Sequence, residues 1–534
     1  MKKYIGLAIV ALSMTFTACD DYLDKLPDNR MELKTPDEIT DLMVSAYADH
    51  HPAYILEMAS DNADECVNTG WTEYDRLQRQ AWHWDDITEI GQDDSPQELW
   101  NNYYRSIAAT NAAIEYIESL PIEEQADFSK QLGEALLCRA YNMFMLSTVF
   151  CEAYDEGSAE KYLGLPYPKK TETVVGQSYE RGTLKELYDN IAADIEEGLP
   201  LVKNTYDRPK FHFTIDAANA FAARFYLYYG KYDKAIACAN KVLGENPVGK
   251  LRDWATFGGL SANQQIAPEA YISAEEKANL LLIVNYSSWG VVHGNYGSGC
   301  KYAHGSNINT YETINAPGPW GTSGSGNDGF NVVYFSNRSL SKFISRKVPH
   351  EFEYTDIQAR IGYAHSEMSA FNTDMLLLER AEAYALQGNL EAAIRDVNAE
   401  LSVYHKAAPQ VTVKGVKAHY DTIQYYRPID TSEDRIYYTP KKHLHPRMIT
   451  LAEGSEQEAV LQTILQLRRV LTLHEGIRFQ DIKRYGIVIY RRTMNSAYQI
   501  TAVTDSMTVD DPRRAIQLPQ DVITAGLPAN PRKK

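Results

Sequence analysis

Two distant stretches of this chain follow one pattern. AARFYLYYGKYDKAIACAN and RAEAYALQGNLEAAIRDVN align at Ala223 with Ala381, Tyr226 with Tyr384, Gly230 with Gly388, Ala235 with Ala393, Ile236 with Ile394 and Asn240 with Asn398. In each, apolar residues recur at helical spacing on both sides of one glycine, the residue that most readily turns a chain tightly between helices. Small alanines let two antiparallel helices approach. Such a hairpin cannot bury its own apolar face, so it must stack on neighbours. The alternative is two unrelated helix pairs that share an alanine-rich pattern.

The pattern resembles the tetratricopeptide helical hairpin, which identifies an architecture and no function. Other segments supply the neighbours. Thr35 with Glu38, Ser95 with Glu98 and Thr183 with Glu186 have capping-box spacing, and Pro36 and Pro96 stand at first helical positions. After Ser95, residues Leu99, Tyr103, Ile107, Ile114 and Ile117 keep helical spacing until Pro121. Further helices are predicted near 129–150, 183–199, 215–229, 232–244, 373–387, 390–402 and 456–475, with short strands at 279–286 and 331–335. The expected fold is mainly α, a tetratricopeptide-like hairpin scaffold with long irregular loop insertions and a few short strands. Hairpins fall near 95–150, 215–244 and 373–402 within one domain spanning 35–534.

The N-terminus reads as an export signal. Lys2 and Lys3 precede an apolar run too short for a permanent membrane span, and the run ends at Thr17-Ala18-Cys19. This looks like a bacterial lipobox, although Phe16 stands where leucine is common. Residues 1–18 are then a removed signal, Cys19 the acylated residue and 19–34 a tether. Asp20, Asp21 and Asp24 resemble the acidic signal that sends some lipoproteins to the outer face of the outer membrane. A simple signal peptide with a chance cysteine is the alternative.

The formal charge of −18 over 534 residues argues against nucleic acid and against a polybasic membrane patch. Six cysteines in so long a chain make no disulfide framework. Cys138 and Cys238 fall in helical apolar patterns and are expected as buried free thiols.

Residues 250–335 differ from the scaffold. They are rich in Gly, Asn, Ser, Tyr and Trp, and a long irregular segment with aromatics is expected to serve function. Aromatic faces on loops pack against the C–H face of a sugar ring while polar groups bond its hydroxyls. DNADECVNTGWTEYDR, from Asp61 to Arg76, is a second such cluster. Asp61, Asp64 and Glu65 could bind calcium but lack a recognised loop spacing, so no metal is expected. Gly324, Gly326 and Gly329 spell GxGxxG without the strand and helix that dinucleotide binding requires. His443 and His445 lack a third ligand at motif spacing. No Walker loop, HExxH, CxxC or GxSxG occurs, so neither catalysis nor a cofactor is expected.

A series of segments in order carries a family resemblance: CDDYLDKLPD, LWNNYYRSIAATNAAIEYI, GEALLCRAYNMFMLSTVF followed by LGLPYP, the first hairpin, TDMLLLERAEAYALQGNLEAAIRDVN, LTLHEGIRFQDIKRYG and IQLPQDVITAGLPANP. Together these resemble the SusD/RagB family of nutrient-binding outer-membrane lipoproteins, with Cys138 before Arg139 and Phe479 departing from the usual pattern. The resemblance implies a surface-exposed lipoprotein that captures an oligomer, usually a glycan, and delivers it to a SusC-like TonB-dependent transporter. Trp71, Tyr74, Trp289, Tyr296 and Trp320 are then expected to stack sugars, with Asn62 and Arg76 bonding hydroxyls. Glu134 with Arg139, and Glu475 with Arg478, are expected to anchor buried polar networks linking helices. A peptide-binding member of the family, an exported glycosidase and a helical-repeat scaffold are the other readings.

Overall fold

The computed structural model describes residues 34–66, 72–172, 177–263, 265–293, 300–321, 329–337, 342–427, 439–497 and 500–532. Cys19 and the tether before residue 34 lie outside the described residues.

The repeat organises the helices. In chain order these are α1 (Pro36–Met43), α2 (Ala53–Ala59), α3 (Arg76–His83), α4 (Pro96–Ser119), α5 (Ser129–Phe150), α6 (Leu184–Gly198), α7 (Ile215–Tyr228), α8 (Tyr232–Leu243), α9 (Thr373–Leu386), α10 (Leu390–Tyr404), α11 (Val413–Asp421), α12 (Glu456–Leu471) and α13 (Ile477–Arg484). The two repeat hairpins, α7–α8 and α9–α10, become neighbours through α8 against α9. Helix α4 packs on α5, α5 on both α6 and α7, and α9 on α12. One layered scaffold results.

Backbone chemistry explains the turns. Gly230 and Gly388, the aligned glycines, both adopt left-handed φ, +73° and +82°. Gly133 of α5 lies against Gly198 of α6, and a Cβ at Gly133 would stand 2.7 Å from Leu201 Cβ and 2.9 Å from Gly198 O. Thr35 and Thr183 form reciprocal capping boxes; Ser95 accepts from the Glu98 amide. Helix α12 stops at Leu471, short of the expected 475, because the chain turns sharply there, with His474 and Gly476 both at positive φ.

Buried ion pairs join the layers. Arg139 of α5 binds Asp194 of α6 through two bonds of 2.7 and 2.8 Å and reaches Asn111 of α4 at 2.9 Å. Arg380 of α9 binds Asp396 of α10 at 2.8 Å and Asn240 of α8 at 2.8 Å. Breaking such a pair leaves an uncompensated charge in a medium that solvates it poorly, at a cost of about 3–5 kcal/mol. Glu134 accepts from Tyr47 at 2.7 Å and Tyr206 at 3.0 Å, with His212 Nδ1 at 2.8 Å, and Glu475 pairs with Lys347 at 2.7 Å. Glu134, Arg139, Glu475 and Arg478 are all buried in polar networks, but not as the expected pairs: Arg139 takes Asp194 rather than Glu134, and Arg478 takes Asp61 rather than Glu475. Cys66, Cys138, Cys151, Cys238 and Cys300 are buried free thiols.

Strands are short and mostly antiparallel pairs: β1 (Asp64–Glu65) with β3 (Tyr302–Ala303), β4 (Tyr334–Asn337) with β5 (Lys342–Ser345), and β8 (Ile489–Met494) with β9 (Ile500–Met507). A three-stranded sheet runs in the order β2 (Asn279–Tyr286), β7 (Ile361–Asn372), β6 (Glu351–Asp356). The strand at 279–286 matches expectation, and the one expected at 331–335 lies at 334–337. The β6–β7 and β8–β9 hairpins were not anticipated. In β8, Arg491 and Arg492 are both buried, so the alternation that marks a half-buried strand is missing.

Candidate ligand-binding face

Strand pairing brings the two irregular segments together. Asp64 pairs with Ala303 and Glu65 with Tyr302, so the cluster after Asp61 lies on the segment after residue 300. A buried charge network holds this junction. Arg478 binds both Asp61 oxygens at 2.7 and 2.8 Å, and Arg492 binds both Asp64 oxygens at 3.0 and 2.9 Å. Glu312, also buried, meets Lys442 at 2.7 Å and Arg469 at 3.2 Å. Burial alone would raise the Asp61 carboxyl, yet Arg469 and Arg478 hold it far below its usual value. Asp61 and Asp64 are therefore engaged by guanidinium groups, and Glu65 pairs with Lys301 at 3.0 Å. Arg491 donates to the carbonyls of Met58, Ala59, Ser60 and Trp82, satisfying the end of α2.

On this base stands the turn that carries Tyr74 and Arg76. Asp75 caps α3 by accepting from the Gln78 amide at 2.5 Å, and Tyr54 donates to the same carboxylate at 3.3 Å. The Gln78 side chain, fully buried, accepts from the Tyr74 amide at 2.9 Å and donates to the Tyr302 carbonyl at 3.4 Å. Trp82 stacks on Tyr302 at 4.5 Å, and the Tyr302 hydroxyl meets His83 at 3.1 Å. The outcome is a fixed turn with Tyr74 and Arg76 outward. Tyr74 is 44% exposed, and the Arg76 side chain, 53% exposed, bonds Glu89 at 2.6 Å.

The other expected contact residues separate into two groups. Trp71 and Tyr296 lie outside the described residues. Trp289, Trp320 and Asn62 are corrected to structural roles. Trp289 is 2% exposed, stacks on Tyr54 at 4.9 Å and donates its indole N–H to the His474 carbonyl at 2.7 Å, so it supports the Tyr74 turn from below. Trp320 is 5% exposed, packed edge-on to Phe330 at 5.4 Å and against the bare α-carbon of Gly318. Asn62 is 1% exposed and bridges Glu57 at 3.0 Å and Arg469 at 2.8 Å. None of the three offers a surface to a ligand. Asp75 and Gln78, overlooked in the sequence, do carry a local signal: the aspartate–x–x–glutamine spacing of a helix start.

His304 completes the junction. Its Nδ1 lies 2.9 Å from the Asn62 carbonyl, which can only accept, so Nδ1 carries a proton; its Nε2 lies 2.8 Å from the Thr313 hydroxyl. Burial pushes its pKa down to about 4.

Residues 21–227 match the family profile described as SusD-like, starch-binding associating with outer membrane. Over that stretch the chain is similar to the SusD-like family. The SusD-like fold is seen across its length as well. A SusD superfamily protein from Bacteroides thetaiotaomicron is similar with a TM-score of 0.61 at 17% identity, covering 93% of this chain and 100% of that one. A SusD-like carbohydrate binding protein from Bacteroides vulgatus gives 0.57 at 14% identity, covering 92% and 97%. A laminarin binding SusD-like protein gives 0.53 at 15% identity, covering 93% and 100%. At these identities the likeness speaks for the fold. Comparison with curated proteins found no match. Among the described residues, no helix is long and apolar enough to cross a membrane.

Proposed function

We propose that this SusD-like protein is a surface lipoprotein, anchored through Cys19, that binds a glycan on the Tyr74 face and hands it to a partner TonB-dependent transporter. The reading rests on one observation above the others. Two sequence-distant irregular segments are locked together by buried ion pairs, and the turn they support holds Tyr74 and Arg76 outward. A phenol face and a guanidinium on a rigid base suit a sugar ring and its hydroxyls, because little ordering entropy remains to be lost on binding. Trp71 and Tyr296, which lie outside the described residues, are proposed as further stacking contacts. Binding without chemistry is the role, and the glycan leaves unaltered.

Native gel electrophoresis on a panel that includes starch and laminarin tests the reading. Retardation by at least one glycan is expected. A protein retarded by none of them would contradict the glycan assignment. For the partner, membrane extraction of the intact lipoprotein is expected to recover a transporter barrel with it, and recovery of the lipoprotein alone would count against delivery.

A further inference from the structure

A groove of about 850 Å³ lies in a part of the molecule whose lining shares no residue with the Tyr74 face. Its floor is strand β2, from Leu282 to Tyr286. Tyr47, Asp49, Arg105 on α4, the turn from Arg208 to His212, and Glu353 and His365 also line it. The volume falls in the range of pockets that enclose small ligands, roughly 300–1,000 Å³.

The lining carries two arginines, Arg105 and Arg208, and two carboxylates, Asp49 and Glu353. In a chain of 71 acidic and 53 basic residues, both arginines line this one groove. Asp49 is already engaged by His50 Nδ1 at 2.7 Å and by Arg105 at 3.4 Å. Arg208 is exposed and forms no ion pair with any carboxylate among the described residues. The back of the groove is rigid. The fully buried Glu134 holds Tyr47 and His212, and His212 stacks on Tyr206 at 4.3 Å. With Nδ1 facing that carboxylate, Nε2 is the ring nitrogen of His212 left for a hydroxyl. Phe211 and Tyr286, both partly exposed, supply apolar faces.

We infer that this groove binds a carboxylated sugar, a uronic acid unit of an acidic glycan, with Arg105 and Arg208 on the carboxylate and Phe211 and Tyr286 framing the ring. Guanidinium groups match a carboxylate through paired N–H donors, and an apolar frame fits the ring's C–H face. The site goes beyond the Tyr74 face and fails or succeeds separately from it.

Calorimetry on the full-length protein, with trimers of galacturonic, glucuronic and mannuronic acid as probes, tests the assignment. At least one trimer is expected to bind, more weakly at higher salt. Methyl esterification of that trimer and Arg208→Ala should each weaken binding by about tenfold or more, the loss of a charge-assisted hydrogen bond. Tyr74→Ala should leave it unchanged. Absence of binding for all three trimers at millimolar concentration would overturn the inference, as would equal binding of the ester. If Arg208→Ala were without effect and Tyr74→Ala abolished binding, the acidic sugar would belong to the Tyr74 face instead.

Discussion

At the residue scale, similar aromatic residues take opposite roles. Trp289 and Tyr74 both stand in irregular, polar sequence, yet one is core and the other surface. Trp289→Ala removes a buried ring and the stack under Tyr54, so unfolding in urea should register a loss of about 3–5 kcal/mol. Tyr74→Ala should change stability by less than about 0.5 kcal/mol, as exposed positions do. Titration gives a second expectation. Burial holds both His51 and His304 at about 4, below the ordinary histidine value. The unfolded chain therefore takes up protons near pH 6.5 that the folded chain refuses until about 4, and stability falls as pH drops through that window. Each extra proton bound by the unfolded state costs about 1.4 kcal/mol per pH unit. Asp94, raised to about 6 by burial, works in the other direction and gains stability as pH falls below 6. Urea midpoints measured at pH 7 and pH 5 should decline, and His304→Asn should flatten the decline. An unchanged slope in that variant would remove His304 from the account.

At the scale of elements, glycines set the geometry for two separable reasons. Gly388 has open space around its α-carbon but a left-handed φ, so Gly388→Ala should cost about 1–2 kcal/mol from backbone conformation alone. Gly133 is helical and blocked by Leu201 and the α6 backbone, so Gly133→Ala forces α5 and α6 apart and should cost about 1–3 kcal/mol. Replacing Gly388 by Asn, which tolerates left-handed backbone, should recover part of the first loss and would recover nothing at Gly133. Denaturant melts of the three variants separate the causes. These elements were legible in the sequence because glycine, alanine and apolar spacing are local signals. The repeat at Gly230 and Gly388, the capping pairs and strand 279–286 all follow from residues within one turn or strand. The β8–β9 hairpin was hidden because Arg491 and Arg492 turn inward to partners such as Asp64, more than four hundred positions away. The same distance concealed the site's foundation. Nothing near Asp61 announces Arg478, and nothing near Trp289 announces Tyr54.

At the scale of the whole molecule, the helical hairpins form a scaffold, and buried ion pairs fasten the irregular segments to it. Asn62, Trp289 and Trp320 looked like contact residues because their local sequence is polar and aromatic, but burial is decided by the assembled fold. Among the described residues expected to meet a ligand, Tyr74 and Arg76 remain outward, on a base fixed by buried ion pairs. That division between buried support and exposed contact is the central claim. It is tested most directly by the affinity of the Tyr74→Ala/Arg76→Ala double variant for whichever glycan retards the native protein. Loss of a stacking contact and a charged hydrogen bond, about 1 kcal/mol or more each, predicts at least about a tenfold weaker Kd with an unchanged melting temperature. A double variant that bound the glycan as tightly as the native protein would contradict the account.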